Sequence, residues 1–208
     1  MSDRPRFLHF QFLRLDHAFH RLQANEKVVA RQEFMAGLES KSYAPGTLVY
    51  SLSGLRADCD VLLARSAEDL EPLQDAADRL RSAGLGKYLV PVQTFLGIDR
   101  EEAGSAPAFG AGRYLFVSHR PAGALGPAAV VGAPALAAMG LKPRSLDCIG
   151  PTGYGALEAI ETDDAAAYFK LWRGVADRLS PAPGGLKDAP IYPCVRKDAR
   201  DLVETIGF

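Results

Sequence analysis

Hydrophobic residues along this chain follow two spacings, one typical of strands and one typical of helices. Short runs rich in aromatic, β-branched and leucine residues predict β-strands. Longer stretches with apolar residues every three or four positions predict amphipathic helices. The predicted strands are 7–15, 50–65, 88–98, 113–118, 155–161 and 191–195. The predicted helices are 17–39, 68–84, 164–179 and 199–206, with a loosely helical, alanine- and glycine-rich region at 122–140.

The chain is organised around one strand that is followed directly by a helix. The stretch from Tyr50 to Arg65 mixes apolar and polar residues and ends in a leucine run, which predicts a strand with one buried face. From Glu68 to Gly84 the apolar positions fall on one helical stripe. A strand that leads into an amphipathic helix forms half of an α+β layer arrangement.

The order strand, helix, strand, helix, strand occurs twice, as a repeat of topology without close sequence similarity. Two such halves predict an α+β fold in which two ferredoxin-like repeats form an antiparallel sheet covered by helices. A polar, glycine-rich segment separates them. The predicted division is an N-terminal half at 1–98, a linker at 99–112 and a C-terminal half at 113–208.

The composition narrows the classes of function. A formal net charge of -1, with no dense block of lysine and arginine, argues against a nucleic-acid surface. Cys59, Cys148 and Cys194 are far apart and typical of reduced thiols, not of a disulfide framework or a zinc site. The apolar stretch at 122–141 is interrupted by glycines and prolines, and the N-terminus lacks a signal-peptide pattern. We therefore expect a cytoplasmic protein that binds neither nucleic acid nor membrane.

Several segments together resemble the chlorite dismutase and coproheme decarboxylase family. They are Phe10 to Asp16, Tyr50 to Asp60, Gly84 to Leu89, Tyr114 to Arg120, Leu157 to Asp164 and Pro190 to Tyr192. The segments occur in the order and spacing of the family, and the resemblance extends over nearly the whole chain. The resemblance implies a double ferredoxin-like barrel of the dimeric α+β barrel type that assembles into a homo-oligomer. It also implies heme or coproheme in the second half, used for chlorite breakdown or for oxidative decarboxylation with peroxide.

The site residues that the resemblance implies are only partly present. The proximal histidine of the family matches Met139, and no histidine follows His119 in the sequence. Methionine is an axial heme ligand in some proteins but is more often core filler. Arg144 falls near the distal polar position, and Tyr114 lies one position from that of the catalytic tyrosine. His119 and Arg120 match the basic pair that meets the propionates.

Other combinations of residues carry weaker signals. His17 and His20 stand three apart on a predicted helix with His9 nearby, but no further ligand accompanies them, so surface histidines are favoured over a metal site. Ser118 and His119 are adjacent on a strand and therefore point to opposite faces, which argues against serine catalysis. Cys194 lies near Arg196 and Lys197, a setting that favours a thiolate.

Three hypotheses follow. The favoured one is a chlorite dismutase-like protein with an altered heme site that binds a small molecule or partner without heme peroxidase chemistry. The alternative is a heme- or coproheme-binding oxidoreductase that uses Arg144, His119 and Arg120 around an iron with a non-histidine ligand or none. The third is a structural subunit of an oligomer. Loss of the histidine leaves bound heme and no heme as equal alternatives, because the axial ligand tunes the iron.

Overall fold

A computed structural model describes residues 6–40, 46–99, 110–121, 126–150, 153–176 and 190–206. The strands are β1 (Phe7–Leu15), β2 (Leu48–Ser51), β3 (Val61–Ala67), β4 (Leu89–Asp99), β5 (Tyr114–Pro121), β6 (Lys142–Gly150), β7 (Gly153–Thr162) and β8 (Ile191–Lys197). The helices are α1 (His17–His20), α2 (Ala24–Glu39), α3 (Leu70–Ser82), α4 (Pro127–Val131), α5 (Ala133–Ala138), α6 (Ala165–Ala176) and α7 (Ala199–Thr205). A 3₁₀ helix spans Gly84–Tyr88. No helix of the described ranges is long and apolar enough to cross a membrane.

The first compact unit contains residues 6–94 and the closing segment from residue 197. In it β3 pairs antiparallel with β1 on one side and with β2 on the other. Its core forms where apolar side chains of these strands meet α2, α3, the 3₁₀ helix and α7. The buried members are Leu13, Phe19, Ala30, Phe34, Val49, Val61, Leu63, Leu80, Leu85, Leu89, Leu202, Val203 and Ile206.

The second compact unit contains residues 95–196. Its strands pair antiparallel in the order β8, β5, β7, β6, and the end of β4 pairs with β6. One face of this sheet is covered by α4, α5 and α6. The core on that face consists of Phe116, Leu136, Leu141, Ile160, Tyr168, Leu171 and Val175. Each unit is thus an antiparallel sheet with helices packed on it, and the predicted α+β class is confirmed. Because residues 100–109 lie outside the described ranges, the linker at 99–112 stays a prediction.

The predicted single strand from Tyr50 to Arg65 is wrong, because the segment contains two strands and a loop. β2 ends at Ser51 and β3 begins at Val61. The intervening loop is closed by the Leu52 N–H, which donates to the Asp60 carbonyl at 2.8 Å. It also turns at Gly54, whose φ of 75° favours glycine. Leu52 and Cys59 are buried in this loop, which is why the sequence has the apolar pattern of a strand.

Two further elements differ from the prediction. The helix predicted at 17–39 is two helices, because α1 ends at His20 and α2 begins at Ala24 with the Gln23 N–H donating to Glu26 Oε2 at 2.8 Å. Strand β6 was not predicted at all. Leu146 and Cys148 of this strand are buried, whereas Ser145 and Asp147 are half-buried and Ile149 is exposed, so the apolar run that predicts a strand is short.

Candidate functional site

Strand β5 separates the two basic residues that the sequence singles out. Phe116 contacts the core beneath α6, and Arg120 follows it on the same strand face. His119 points to the opposite face, where its ring lies 4.9 Å from the ring of Phe95, measured between centroids. His119 and Arg120 therefore cannot act side by side on one group.

Arg120 forms a buried ion pair with a residue that sequence reasoning missed. Its Nη2 lies 3.5 Å from Glu158 Oε2 on β7, and the two side chains are 4% and 2% exposed. The other carboxylate oxygen, Glu158 Oε1, accepts a 2.9 Å hydrogen bond from the Ala128 N–H at the start of α4. Glu158 thus connects the sheet to the helix layer. Its signal in the sequence is a single carboxylate within the apolar strand from Ala156 to Ile160.

The pKa of Glu158 is raised by burial, although Arg120 and the Ala128 N–H both act to lower it. Burial favours the neutral acid, whereas a nearby cation and a donated hydrogen bond favour the carboxylate. Two other nitrogens of Arg120, Nε and Nη1, have no hydrogen-bond partner within the described ranges. The guanidinium lies against the backbone of Gly126, where an added Cβ would overlap it. Gly126 is therefore needed for the close approach of this segment to Arg120.

Tyr168 on α6 closes the space beside this ion pair. Its ring stacks on Phe116 with centroids 3.7 Å apart and an interplanar angle of 6°. Burial, together with the charge of Glu158, raises the pKa of its hydroxyl. The phenol therefore stays neutral at physiological pH.

The remaining predicted site residues occupy different places in the second unit. Met139 follows α5, is half-buried and packs on the core at its edge. Tyr114 shares a face with Arg120 and lies beside the guanidinium of Arg113, 5.3 Å from the ring centroid. Arg144 on β6 is paired with Ala159, as is Val117, so Arg144 shares a face with His119. The structure therefore divides the five predicted residues between two faces of one sheet.

The weaker sequence signals also have places in the structure. Cys194 is 1% exposed and its thiol donates to the Tyr192 carbonyl at 3.3 Å, so it is not the accessible thiolate that its charged neighbours predicted. Its burial separates it from those charges. His17 and His20 lie on the surface with ring centroids 6.3 Å apart. Across the described part of the chain, no group of three or more His, Cys, Asp or Glu side chains is arranged to hold a metal ion.

The helix-covered face of the second unit does not fit the heme or coproheme that the resemblance implies. All four histidines of the sequence precede α4, and the one in this unit, His119, points away from the helices. The place next to Met139 is taken by core side chains. Between β5 and α6, the direct stack of Phe116 on Tyr168 leaves no gap for a macrocycle. No reaction step through a heme follows from these residues.

The fold and a large part of the sequence have recognisable relatives. Residues 21–106 match the family model for chlorite dismutase. A tryptophan-to-phenylalanine variant of chlorite dismutase from Candidatus Nitrospira defluvii, in complex with cyanide, is 15% identical with a TM-score of 0.72. The alignment covers 98% of this chain and 95% of that chain. An arginine-to-lysine variant of the same enzyme gives 15% identity and a TM-score of 0.73, with 98% and 95% coverage. The complex of the same enzyme with imidazole is 14% identical to this chain, with a TM-score of 0.71. That alignment covers 98% of this chain and 95% of the enzyme chain.

No curated protein matches this chain. At 14–15% identity the solved structures show a shared fold, and the family model adds a match in sequence over residues 21–106. The chain is therefore chlorite dismutase-like, and the resemblance noted from its residues is confirmed. What the relatives bind or convert does not follow from a shared fold, because one fold carries many functions.

Proposed function

We propose that this chain uses a chlorite dismutase-like fold without heme peroxidase chemistry and binds a small molecule or a partner protein instead. The observation that carries the proposal is the close packing of the helix-covered face in the second unit. There Phe116 and Tyr168 are stacked, and Arg120 is neutralised by Glu158. A face closed by an aromatic stack and an internal ion pair has the properties of a core, not of a cofactor cleft.

The donor set supports the same proposal. A heme iron in a protein is usually held by histidine, cysteine or tyrosine, or by methionine opposite histidine. Met139 alone would supply a weak ligand, and its thioether side chain packs on the core. Tyr168 is buried, and the raised pKa of its hydroxyl disfavours the phenolate that would bind iron.

One observation favours the second candidate, a heme- or coproheme-binding oxidoreductase. Burial and the neighbouring Arg120 lower the pKa of His119, so its imidazole is neutral at pH 7. A neutral imidazole is the form that binds iron. Arg144 lies on the same sheet face and would be the polar residue nearest in kind to the distal residue of the family. This candidate requires a cofactor on the face that carries His119.

Visible spectroscopy separates the two candidates. Purified protein is titrated with hemin and with coproheme, alongside a chlorite dismutase as positive control. We expect free-heme spectra without saturation at one equivalent, and no turnover of chlorite or peroxide. A sharp Soret band at one equivalent that is lost in His119→Ala or in Met139→Ala, but kept in the surface variant His17→Ala, would overturn the proposal. It would establish the second candidate with the affected side chain as ligand.

A further inference from the structure

A polar cavity of about 420 Å³ lies in the first unit, where three segments of the chain meet. One segment is the end of β1 together with α1, the second is the loop between β2 and β3, and the third is the end of α7. Arg14, His20, Ser53, Asp60 and Thr205 are among its lining residues. Small-molecule sites in proteins measure about 300–1,000 Å³, so the cavity as it stands has room for a small organic ligand.

The carboxylate of Asp60 is held in a fixed position at this cavity. Its Oδ2 accepts a 2.8 Å hydrogen bond from the N–H of Leu15, which is itself a lining residue. The backbone of Asp60 is also bound, since its N–H donates to the Leu13 carbonyl and its carbonyl accepts from the Leu52 N–H, each at 2.8 Å. Within the described ranges the other carboxylate oxygen, Oδ1, has no hydrogen-bond partner. Asp60 therefore offers a fixed acceptor to a hydroxyl group of a ligand.

The short helix α1, which carries His20, is held in place as well. Phe19 is fully buried, and its ring contacts that of Tyr88 with centroids 5.6 Å apart. Asp16 caps the start of the helix, and at its end the His20 carbonyl accepts from Lys27 Nζ at 2.9 Å. The imidazole of His20 makes no hydrogen bond in the part of the chain that the structure describes. Its ring nitrogens can therefore bind a ligand without giving up a contact in the protein.

Arg14 brings a permanent positive charge to the cavity. The residue is exposed, and among the described residues its guanidinium has neither an ion-pair nor a hydrogen-bond partner. Arg56, on the neighbouring loop, differs because it is paired with Asp58 at 2.7 Å. A guanidinium binds phosphate or carboxylate through two parallel N–H bonds. Arg14 is therefore the group of this cavity that selects an anion.

We propose that this cavity binds a sugar-sized polyol that carries one phosphate or carboxylate group. The anionic group binds to Arg14 and His20, and hydroxyl groups bind to Asp60 and Ser53. A bare phosphate would leave much of the cavity unfilled, and an apolar ligand would leave its polar groups without hydrogen bonds. The site adds a ligand class to the proposed function, on which it rests for the statement that the chain binds a small molecule. It lies in the first unit, so the heme titration and the titrations below can fail independently.

Calorimetric titration with four compounds tests this site. Glucose 6-phosphate and gluconate carry both an anionic group and hydroxyl groups, whereas glucose and inorganic phosphate each offer only one of the two. We expect saturable binding of glucose 6-phosphate or gluconate, and binding of glucose and phosphate that is weaker by about tenfold or more. Arg14→Met should weaken the bound compound by about tenfold or more, because a charge-assisted hydrogen bond is lost. Arg21→Met replaces an exposed arginine directly after α1 that does not line the cavity, and it should leave the affinity unchanged.

Nuclear magnetic resonance of the wild-type protein locates the bound compound and needs no variant that folds. The backbone amide signals of residues 53–60 and of α1 should shift saturably. A response to glucose 6-phosphate alone would assign the anionic group as phosphate, a response to gluconate alone as carboxylate, and a response to both would admit either. The proposal is overturned by equal affinity in wild type and Arg14→Met, by glucose or phosphate binding as tightly as the compounds that carry both groups, or by no saturable shift of these signals with any of the four.

Discussion

Replacement of Glu158 by glutamine isolates the charge of the buried Arg120–Glu158 pair. Glutamine keeps a carbonyl oxygen that can accept from the Ala128 N–H, so the connection to α4 is retained. What is lost is the neutralisation of a guanidinium that is 4% exposed. Removal of one partner from a buried ion pair lowers the free energy of unfolding by about 3–5 kcal/mol, because the other charge is left unpaired in the low-dielectric protein interior.

The magnitude can be carried to an observable quantity. For a chain of this length, 1 kcal/mol shifts Tm by roughly 2–4 °C, so Glu158→Gln should lower Tm by roughly 6–20 °C. Chemical denaturation of Glu158→Gln, Arg120→Met and the double variant completes a mutant cycle. The double variant should be more stable than Glu158→Gln alone, since it contains no unpaired charge. A loss below about 1 kcal/mol in Glu158→Gln, or strict additivity in the cycle, would refute the reasoning.

Three further outcomes are expected. The free energy of unfolding should fall as the pH drops from 6.5 to about 4. In this range His9 is protonated in the unfolded chain but stays neutral in the folded protein, so protonation favours the unfolded state. His9→Leu should flatten this slope, and an unchanged slope would contradict the assignment. Gly126→Ala should destabilise the protein by about 1–3 kcal/mol because its Cβ overlaps Arg120. Gly174→Ala, where a Cβ meets no neighbouring atom, should be neutral or stabilising by about 0.5–1 kcal/mol, and equal losses in both variants would contradict the overlap. Sedimentation should give a multiple of the 22.3 kDa chain mass, as the family resemblance predicts, and a monomer would exclude the expected homo-oligomer.

Much of the fold could be predicted because each half places its apolar side chains at regular intervals. β1 has the bounds that the sequence predicts, Phe7–Leu15. The helix after it begins at His17, as predicted, and Asp16 caps it by accepting from the Ala18 N–H at 2.8 Å. The errors arose where buried apolar residues lie outside helices and strands. Leu52 and Cys59 are buried in a loop, so their apolar character predicted a strand that is absent.

The site was harder to predict because its groups come from strands that are distant in sequence. Arg120 was identified from its motif, but its partner Glu158 lies on another strand, two ladder positions away from the residue opposite Arg120. The opposite orientation of His119 follows from strand alternation and was available in the sequence. Tyr168 lies within the helix that the sequence predicts at 164–179. The stack on Phe116, which closes the face, depends on how α6 packs and leaves no local pattern.

The two buried arginines differ in how their charge is met. Arg120 is matched by Glu158, so its charge is neutralised inside the protein and the group stabilises packing between β5, β7 and α4. Arg65 is as deeply buried but is met only by neutral acceptors, Gln11 and His9. An unpaired buried cation destabilises a fold unless something binds it, whereas a paired one does not need a ligand. On the helix-covered face of the second unit, a buried charge that is neutralised internally and a direct aromatic stack therefore give the packing of a closed core.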